Sequence, residues 1–284
     1  MSTENNNYIM GSENAAEMAR LINQDLLITH SMGGPFPYWT EAELVTISNL
    51  LDIACGPGGW ALEVARAFPQ MHITGVDISQ TMIRYADALA DSRGYGNLHF
   101  GIMDVTRALD FPDNSFDFAN ARLLAGFMPK NDWPQFLQEC MRVLRPGGII
   151  CLTEWEVTIT NSPAQEKLNG MLTRAGTTLK RAFSLDGRSV GITPMLGRFL
   201  KNAGCTNIHQ RAFAIDFSSG TQAHEAYAEN VMVGFDILRP LIMRTEQMSD
   251  EEYSILHQQM VAEMLADDFC GLAYYLTVWG QKPQ

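Results

Sequence analysis

Three carboxylates in the first part of the chain, Asp52, Asp77 and Asp104, stand at or near the ends of short apolar runs. The first is followed, after Ile53, by the glycine-rich stretch Ala54-Cys55-Gly56-Pro57-Gly58-Gly59. Glycines at 56 and 58 permit a tight turn and bring bare amides up to a ligand, where a side chain would collide. Asp52, just before the turn, offers a carboxylate to an ammonium group. Asp77 stands where a carboxylate accepts hydrogen bonds from the two hydroxyls of a ribose. Asp104-Val105 supplies an acceptor and a backbone donor for an adenine edge. Asp77 has a second reading as a helix N-cap, but Ser79 can do that capping itself, which favours the ribose role. Gly56, Gly58 and Ala61 also satisfy the G-x-G-x-x-G/A pattern of dinucleotide sites. A pyrophosphate beside the loop would gain nothing from the negative charge of Asp52.

The elements that must position these groups alternate. Residues 49–53 read as a buried strand, with apolar residues at 50, 51 and 53 and glycines immediately after. Trp60, Leu62, Val64, Ala65 and Phe68 fall at helical spacing before Pro69 closes the segment. A second strand over 71–77 ends on Asp77, and a helical run passes through Met82, Ile83, Tyr85 and Ala86. A third strand covers 98–103. The run 142–148, Arg-Val-Leu-Arg-Pro-Gly-Gly, predicts a helix end and a sharp turn before a strand over 149–152. Strands alternating with helices imply a parallel sheet whose carboxyl ends form the ligand crevice.

With these residues the chain resembles the class I S-adenosylmethionine-dependent methyltransferases, in the small-molecule branch that includes the ubiquinone and menaquinone methylases, over roughly residues 49 to 155. Asp77-Ile78-Ser79-x-x-Met82 matches the family's D-x-S-x-x-M stretch. Phe111-Pro112-Asp113-Asn114-Ser115-Phe116-Asp117 matches its lead into strand four, and 142–148 its R-V-L-R-P-G-G. The resemblance implies an α/β fold with a Rossmann-like, doubly wound, seven-stranded sheet of order 3-2-1-4-5-7-6, its last strand antiparallel, with helical cap insertions. It implies S-adenosyl-L-methionine as cofactor and S-adenosyl-L-homocysteine as product. Asp52, Ala54, Gly56 and Gly58 would surround the methionine end, Asp77 would bind the ribose, and Asp104 with Val105 would hold the adenine. Ile78 and Met82 would pack near the ring, the backbone around Asn120 would approach the methionine moiety, and Tyr8 would close over the cofactor. A core or surface role is the other reading of Tyr8. One departure is visible: Ala54 replaces the usual first glycine of the loop, which narrows the turn's freedom without abolishing binding.

The remaining segments are expected to wall the substrate pocket: an N-terminal helical lid at 1–48, and a methyltransferase domain at 49–284 with cap insertions at about 156–205 and 219–268. At 284 residues, 46% hydrophobic and 18% charged, one large domain with an appended cap is the expectation. The net charge of -12 argues against nucleic acid as partner. Cysteines 55, 140, 151, 205 and 270 form no C-x-x-C pair, so neither zinc nor a disulfide framework is indicated. No apolar run is long enough to span a bilayer, and the polar start of the chain is no export signal. A cytoplasmic location fits. The oligomeric state is left open, a homodimer included. The 16 methionines, and cap residues such as Met232, Phe235, Met243, Met260 and Met264, point to a small, apolar or aromatic acceptor.

Methyl transfer at oxygen, nitrogen or carbon needs alignment, exclusion of water and sometimes a base. Glu154, at the end of the fifth strand, is the best-placed base, with Glu156 its neighbour; a solvated loop carboxylate is the alternative for each. His30, before Ser31-Met32-Gly33-Gly34, is a second candidate or a surface residue, and His99 fits a structural role. Arg122, after the fourth strand, faces substrate, caps the cofactor carboxylate or pairs with a nearby acid. Other functions remain open: a non-methylating cyclase or decarboxylase on the same fold and cofactor, an NAD-dependent oxidoreductase, or a non-catalytic cofactor-binding partner.

Overall fold

The computed structural model describes residues 15–284. Helix α1 (Ala15–Ser31) and the short α2 (Glu41–Leu44) lead into β1 (Asn49–Ile53), α3 (Gly59–Ala67), β2 (His72–Asp77), α4 (Gln80–Arg93), β3 (Leu98–Ile102) and β4 (Phe116–Arg122). Then follow α5 (Trp133–Val143), β5 (Leu144–Trp155), β6 (Ile159–Thr160), α6 (Pro163–Thr178), α7 (Thr193–Asn202), β7 (Thr206–Asp216), α8 (His224–Glu246), α9 (Asp250–Met264) and β8 (Gly271–Gln281).

The strands join in the order β3-β2-β1-β4-β5-β8, with β6 and β7 both paired to β8. Strands β1 to β5 run parallel, and β8 runs antiparallel to β5, β6 and β7. This is the expected order, with β7 and β8 as its sixth and seventh strands. The two-residue β6 is an eighth that sequence did not foresee. Ser79 caps α4 by accepting from Met82 N, as expected, and Gly94 ends that helix in the left-handed region. The expected sharp turn before residue 149 is a bulge inside β5: Phe116 pairs with Leu144 and Phe118 with Ile149, so the four residues 145–148 face Asp117 alone. Gly148 is required there, because a Cβ would lie 2.8 Å from the Arg145 carbonyl.

Adjacent residues of the central strands bury on opposite faces, as a sheet covered on both sides demands. Leu51 and Ile53 pack with Trp133, Phe136, Leu196 and Leu200 under α5 and α7. Leu50 packs with Trp60, Val64, Ile73 and Phe118 under α3 and α4, where Phe36, Leu44 and Ile47 join them. A third core holds Ile28, Leu168, Met171, Phe235, Tyr253 and Met260. It belongs to a roof in which α8 packs against α1, α6 and α9. Of the segment 156–205, α6 lies in this roof and α7 lies beneath the sheet. No helix among the described residues is long and apolar enough to cross a membrane.

Candidate functional site

Between the carboxyl ends of β1, β2 and β4 and the roof lies a cavity of about 310 Å³. Asp52, Ala54, Gly56, Asp77, Ile78, Met82, Asp104 and Val105 line its floor, so eight residues expected from scattered motifs share one space. Gly58 is not among the lining residues. It is glycine because a Cβ would meet Phe100 at 2.6 Å and Ala86 at 3.0 Å, a packing constraint between loop, β3 and α4. Ala54 adopts φ +56°, a left-handed conformation that costs a non-glycine residue about 1–2 kcal/mol. The alanine therefore takes the backbone shape of the missing glycine and carries its strain.

Asp77 fastens the loop. One carboxylate oxygen accepts from Gly56 N and the other from Ser79 N, both at 2.9 Å. Burial pushes its carboxyl up, and the amides pull against that. Asp52 is buried and accepts from Asn120 Nδ2 at 2.9 Å, whereas Asn120, expected beside the methionine moiety, is not among the residues that line this cavity. Desolvation pushes Asp52 up to about 7, opposed by the Asn120 hydrogen bond. Asp104 accepts from Thr106 N at 3.0 Å and Thr106 Oγ1 at 2.6 Å, and pairs with the exposed Arg107 at 3.1 Å.

The proposed catalytic residues fall out differently. Glu154 lies inside β5, opposite Leu276 of β8, rather than beyond a strand end. It is almost fully buried, accepts from Leu124 N at 2.6 Å and Ala125 N at 3.3 Å, and is not among the cavity-lining residues. The strand is longer than its apolar run, and period-two alternation sends Glu154 away from the face that carries Trp155 into the cavity. Glu156 lines the cavity, but its carboxylate accepts from Val190 N, Gly191 N, Thr193 N and Thr193 Oγ1. His30 sits exposed in the last turn of α1, not in a loop. Tyr8 lies outside the described residues. Arg122 does line the cavity. Its guanidinium pairs with Asp25 and donates to Thr29 Oγ1 at 3.0 Å, both on α1. Burial pulls it down to about 10, still charged at neutral pH.

The roof and β8 add polar pairings that sequence reading did not foresee. Tyr227 of α8 and Tyr275 of β8 share a buried hydroxyl–hydroxyl hydrogen bond of 3.0 Å at the cavity wall. Asn230 accepts from Arg20, which is held by Glu17 through two bonds of 2.7 Å. Their partners are 48 to 210 residues apart in sequence, so no local pattern announces them, apart from the i,i+3 pair Glu17 and Arg20. Around them Phe127, Trp155, Phe235 and Leu238 make an apolar chamber. Of the five cap residues singled out in sequence, Phe235 lines the cavity, whereas Met260 and Met264 are fully buried in the roof core.

Residues 50–148 match the family model described as methyltransferase domain. A demethylmenaquinone methyltransferase of Geobacillus kaustophilus is 35% identical over 113 residues, which are 38% of this chain and 46% of that protein. The chain thus spans less than half the length of that curated relative. The methyltransferase pytC of Aspergillus terreus is 25% identical over 246 residues, 82% of this chain and 71% of that one. The crystal structure of the YcgJ protein from Bacillus subtilis superposes with a TM-score of 0.53 at 18% identity, over 84% of this chain and 92% of that chain, a likeness of fold.

Proposed function

We propose, from the premise that this chain carries a class I S-adenosylmethionine-dependent methyltransferase domain, that it moves a methyl group to a small, largely apolar acceptor seated under the helical roof. The carrying observation is one cavity with two chemistries. Its floor gathers the carboxylates of Asp52, Asp77 and Asp104, and its roof is a largely apolar chamber that carries Asp25, the Arg20–Asn230 hydrogen bond and the Tyr227–Tyr275 hydroxyl pair.

The floor fits the cofactor. Its carboxylates suit a ligand bearing an ammonium and a sulfonium, whereas a pyrophosphate would meet like charge. One buried oxygen, Asp25 Oδ2, has no hydrogen-bond partner among the described residues, and an ammonium would supply the missing donor. Asp77 would take the ribose, Asp52 the amino end, and Ile78, Met82 and Val105 the adenine neighbourhood. The cofactor supplies an activated methyl group for in-line displacement.

The chain's own residues then have to exclude water and aim the acceptor. Trp155, Phe127 and Phe235 do the first. Tyr227 and Tyr275 do the second: burial holds Tyr275 up at about 12 and Tyr227 well above its ordinary value, so both are neutral hydroxyls at pH 7. A neutral pair spends one proton between its members and keeps one to donate to an acceptor oxygen. Glu154 and Glu156 are committed to backbone amides, which favours alignment over proton removal.

Calorimetric titration with S-adenosylmethionine, S-adenosylhomocysteine and NAD in parallel tests the reading. Binding of the first two alone, then formation of S-adenosylhomocysteine with methylated product from an apolar acceptor, is expected. Binding of NAD alone would overturn it. Acceptor turnover without S-adenosylhomocysteine would transfer the site to non-methylating chemistry.

A further inference from the structure

Where the connection between β5 and β6 meets α6 at the cavity wall, the hydrogen bonds leave two atoms over. Ser162 caps α6 by accepting from Gln165 N, and Glu263 of α9 holds both Ser162 Oγ and Ala164 N, so the first turn of the helix is fixed. Gln165 and Asn169 stand four apart on that helix, and both side-chain amides reach Thr158. Thr158 Oγ1 accepts from Gln165 Nε2 at 2.8 Å and from Asn169 Nδ2 at 3.1 Å, and Asn169 Nδ2 also donates to the Thr158 carbonyl at 3.0 Å. A hydroxyl has two lone pairs and one proton. Both lone pairs of Thr158 are taken, so its O–H can only donate, and no acceptor among the described residues receives it. Asn169 Oδ1 likewise accepts from no donor among the described residues. Thr158 and Asn169 line the cavity, while Gln165 is fully buried behind them.

We propose that Thr158 O–H and Asn169 Oδ1 are a donor–acceptor pair that reads two neighbouring oxygens of the methyl acceptor. Thr158 donates to a carbonyl, and Asn169 accepts from a hydroxyl. The two residues are joined through the 3.1 Å bond, so the ligand oxygens that suit them stand on adjacent carbons. The substrate class is an apolar molecule with a hydroxyl next to a carbonyl. Calling that molecule the methyl acceptor rests on the methyltransferase reading; the recognition itself does not. Gln165 is a positioning residue, which acts by filling a lone pair of Thr158. Turning its amide over would let the oxygen take the Thr158 proton, but would strand two N–H donors in the core in place of the one buried oxygen, Oε1, that lacks a partner.

Calorimetry on protein saturated with S-adenosylhomocysteine compares three probes of similar shape: benzoin, a hydroxy ketone, deoxybenzoin, which lacks the hydroxyl, and 1,2-diphenylethanol, which lacks the carbonyl. Wild type should bind benzoin on the order of tenfold more tightly than either analogue. Thr158→Val keeps the shape and loses the proton, so benzoin should fall to the level of 1,2-diphenylethanol, and Thr158→Ser should restore the preference. Asn169→Leu should erase the preference over deoxybenzoin. Affinity for S-adenosylhomocysteine should not change in these variants. Benzoin binding no tighter than one of its analogues in wild type, failure to bind included, overturns the assignment, as does a preference that survives either substitution. Wild-type protein that bound no S-adenosylhomocysteine would sink the methyltransferase reading, and the same probes on the unliganded protein would still decide the pair.

Discussion

Glu154 allows a sharp test of whether it braces the fold or performs chemistry. Its carboxyl is held at about 8, against an ordinary 4.5, chiefly because burial penalises the anion more than the Leu124 and Ala125 amides reward it. The folded state therefore keeps a proton that the unfolded chain releases. The contribution to stability is fully present below pH 4.5 and is lost as pH rises through about 8. At about 1.4 kcal/mol per tenfold change in acidity, the whole excursion is on the order of 5 kcal/mol. Glu154→Gln is neutral at every pH. Its carboxamide oxygen keeps the bond from Leu124 N, while its NH2 faces the Ala125 donor at a cost of about 1 kcal/mol. Urea unfolding of both proteins between pH 5 and 9 should thus show curves that cross: the variant is slightly weaker at pH 5 and stronger by several kcal/mol at pH 9. The difference between the two proteins cancels other titrating groups such as Asp52. A constant offset across the range would refute the reasoning. Turnover of the variant should match wild type at pH 7, because the side chain does not line the cavity.

Asp52, at about 7, must shed its proton to take an ammonium. Calorimetric affinity for S-adenosylhomocysteine should rise up to tenfold per pH unit below 7 and level off above it, with 5′-methylthioadenosine flat; a flat profile for both would remove Asp52 from the amino end. Asp77→Ala should weaken S-adenosylhomocysteine by on the order of 1.5–3 kcal/mol, since it loses the ribose bonds and releases the Gly56 amide. Equal affinity in the folded variant would end the ribose assignment. Ala54→Gly should raise stability by about 1 kcal/mol in thermal unfolding, because glycine relieves the left-handed strain at φ +56° and gives back only part of it as unfolded-chain entropy. A lower melting temperature would contradict the strain.

The floor of the site was readable because each of its groups is local. Asp52 is the last but one residue of β1, Asp77 ends β2 and Asp104 follows β3 by two residues, and a parallel sheet brings such positions to one edge. Ser79 as the α4 cap was equally local. Glu154 was misplaced because β5 continues through Thr153, Glu154 and Trp155 to pair with β8, a partner more than a hundred residues away that no apolar run could announce. For Arg122 a pair with a nearby acid was one of three readings, and nothing local named Asp25 as that acid. Asp25 is a single charge on an amphipathic helix, indistinguishable in sequence from a solvated one. The hydroxyl pair of Tyr227 and Tyr275 depends on how an insertion folds back over the sheet.

The roof shares a third hydrophobic core with the β7–β8 pair, and its helices enter the chain at three separate places, ahead of β1, between β5 and α7, and between β7 and β8. The floor is closed by two other cores that the sheet shares with its flanking helices. Variation in one layer therefore leaves the other standing. Descent can remodel the chamber by lengthening or resequencing α6, α8 or α9 while the glycine-rich loop stays under unchanged selection. An engineer can treat the segment from α8 to α9 as an exchangeable cassette, with both ends anchored on the antiparallel β7–β8 pair.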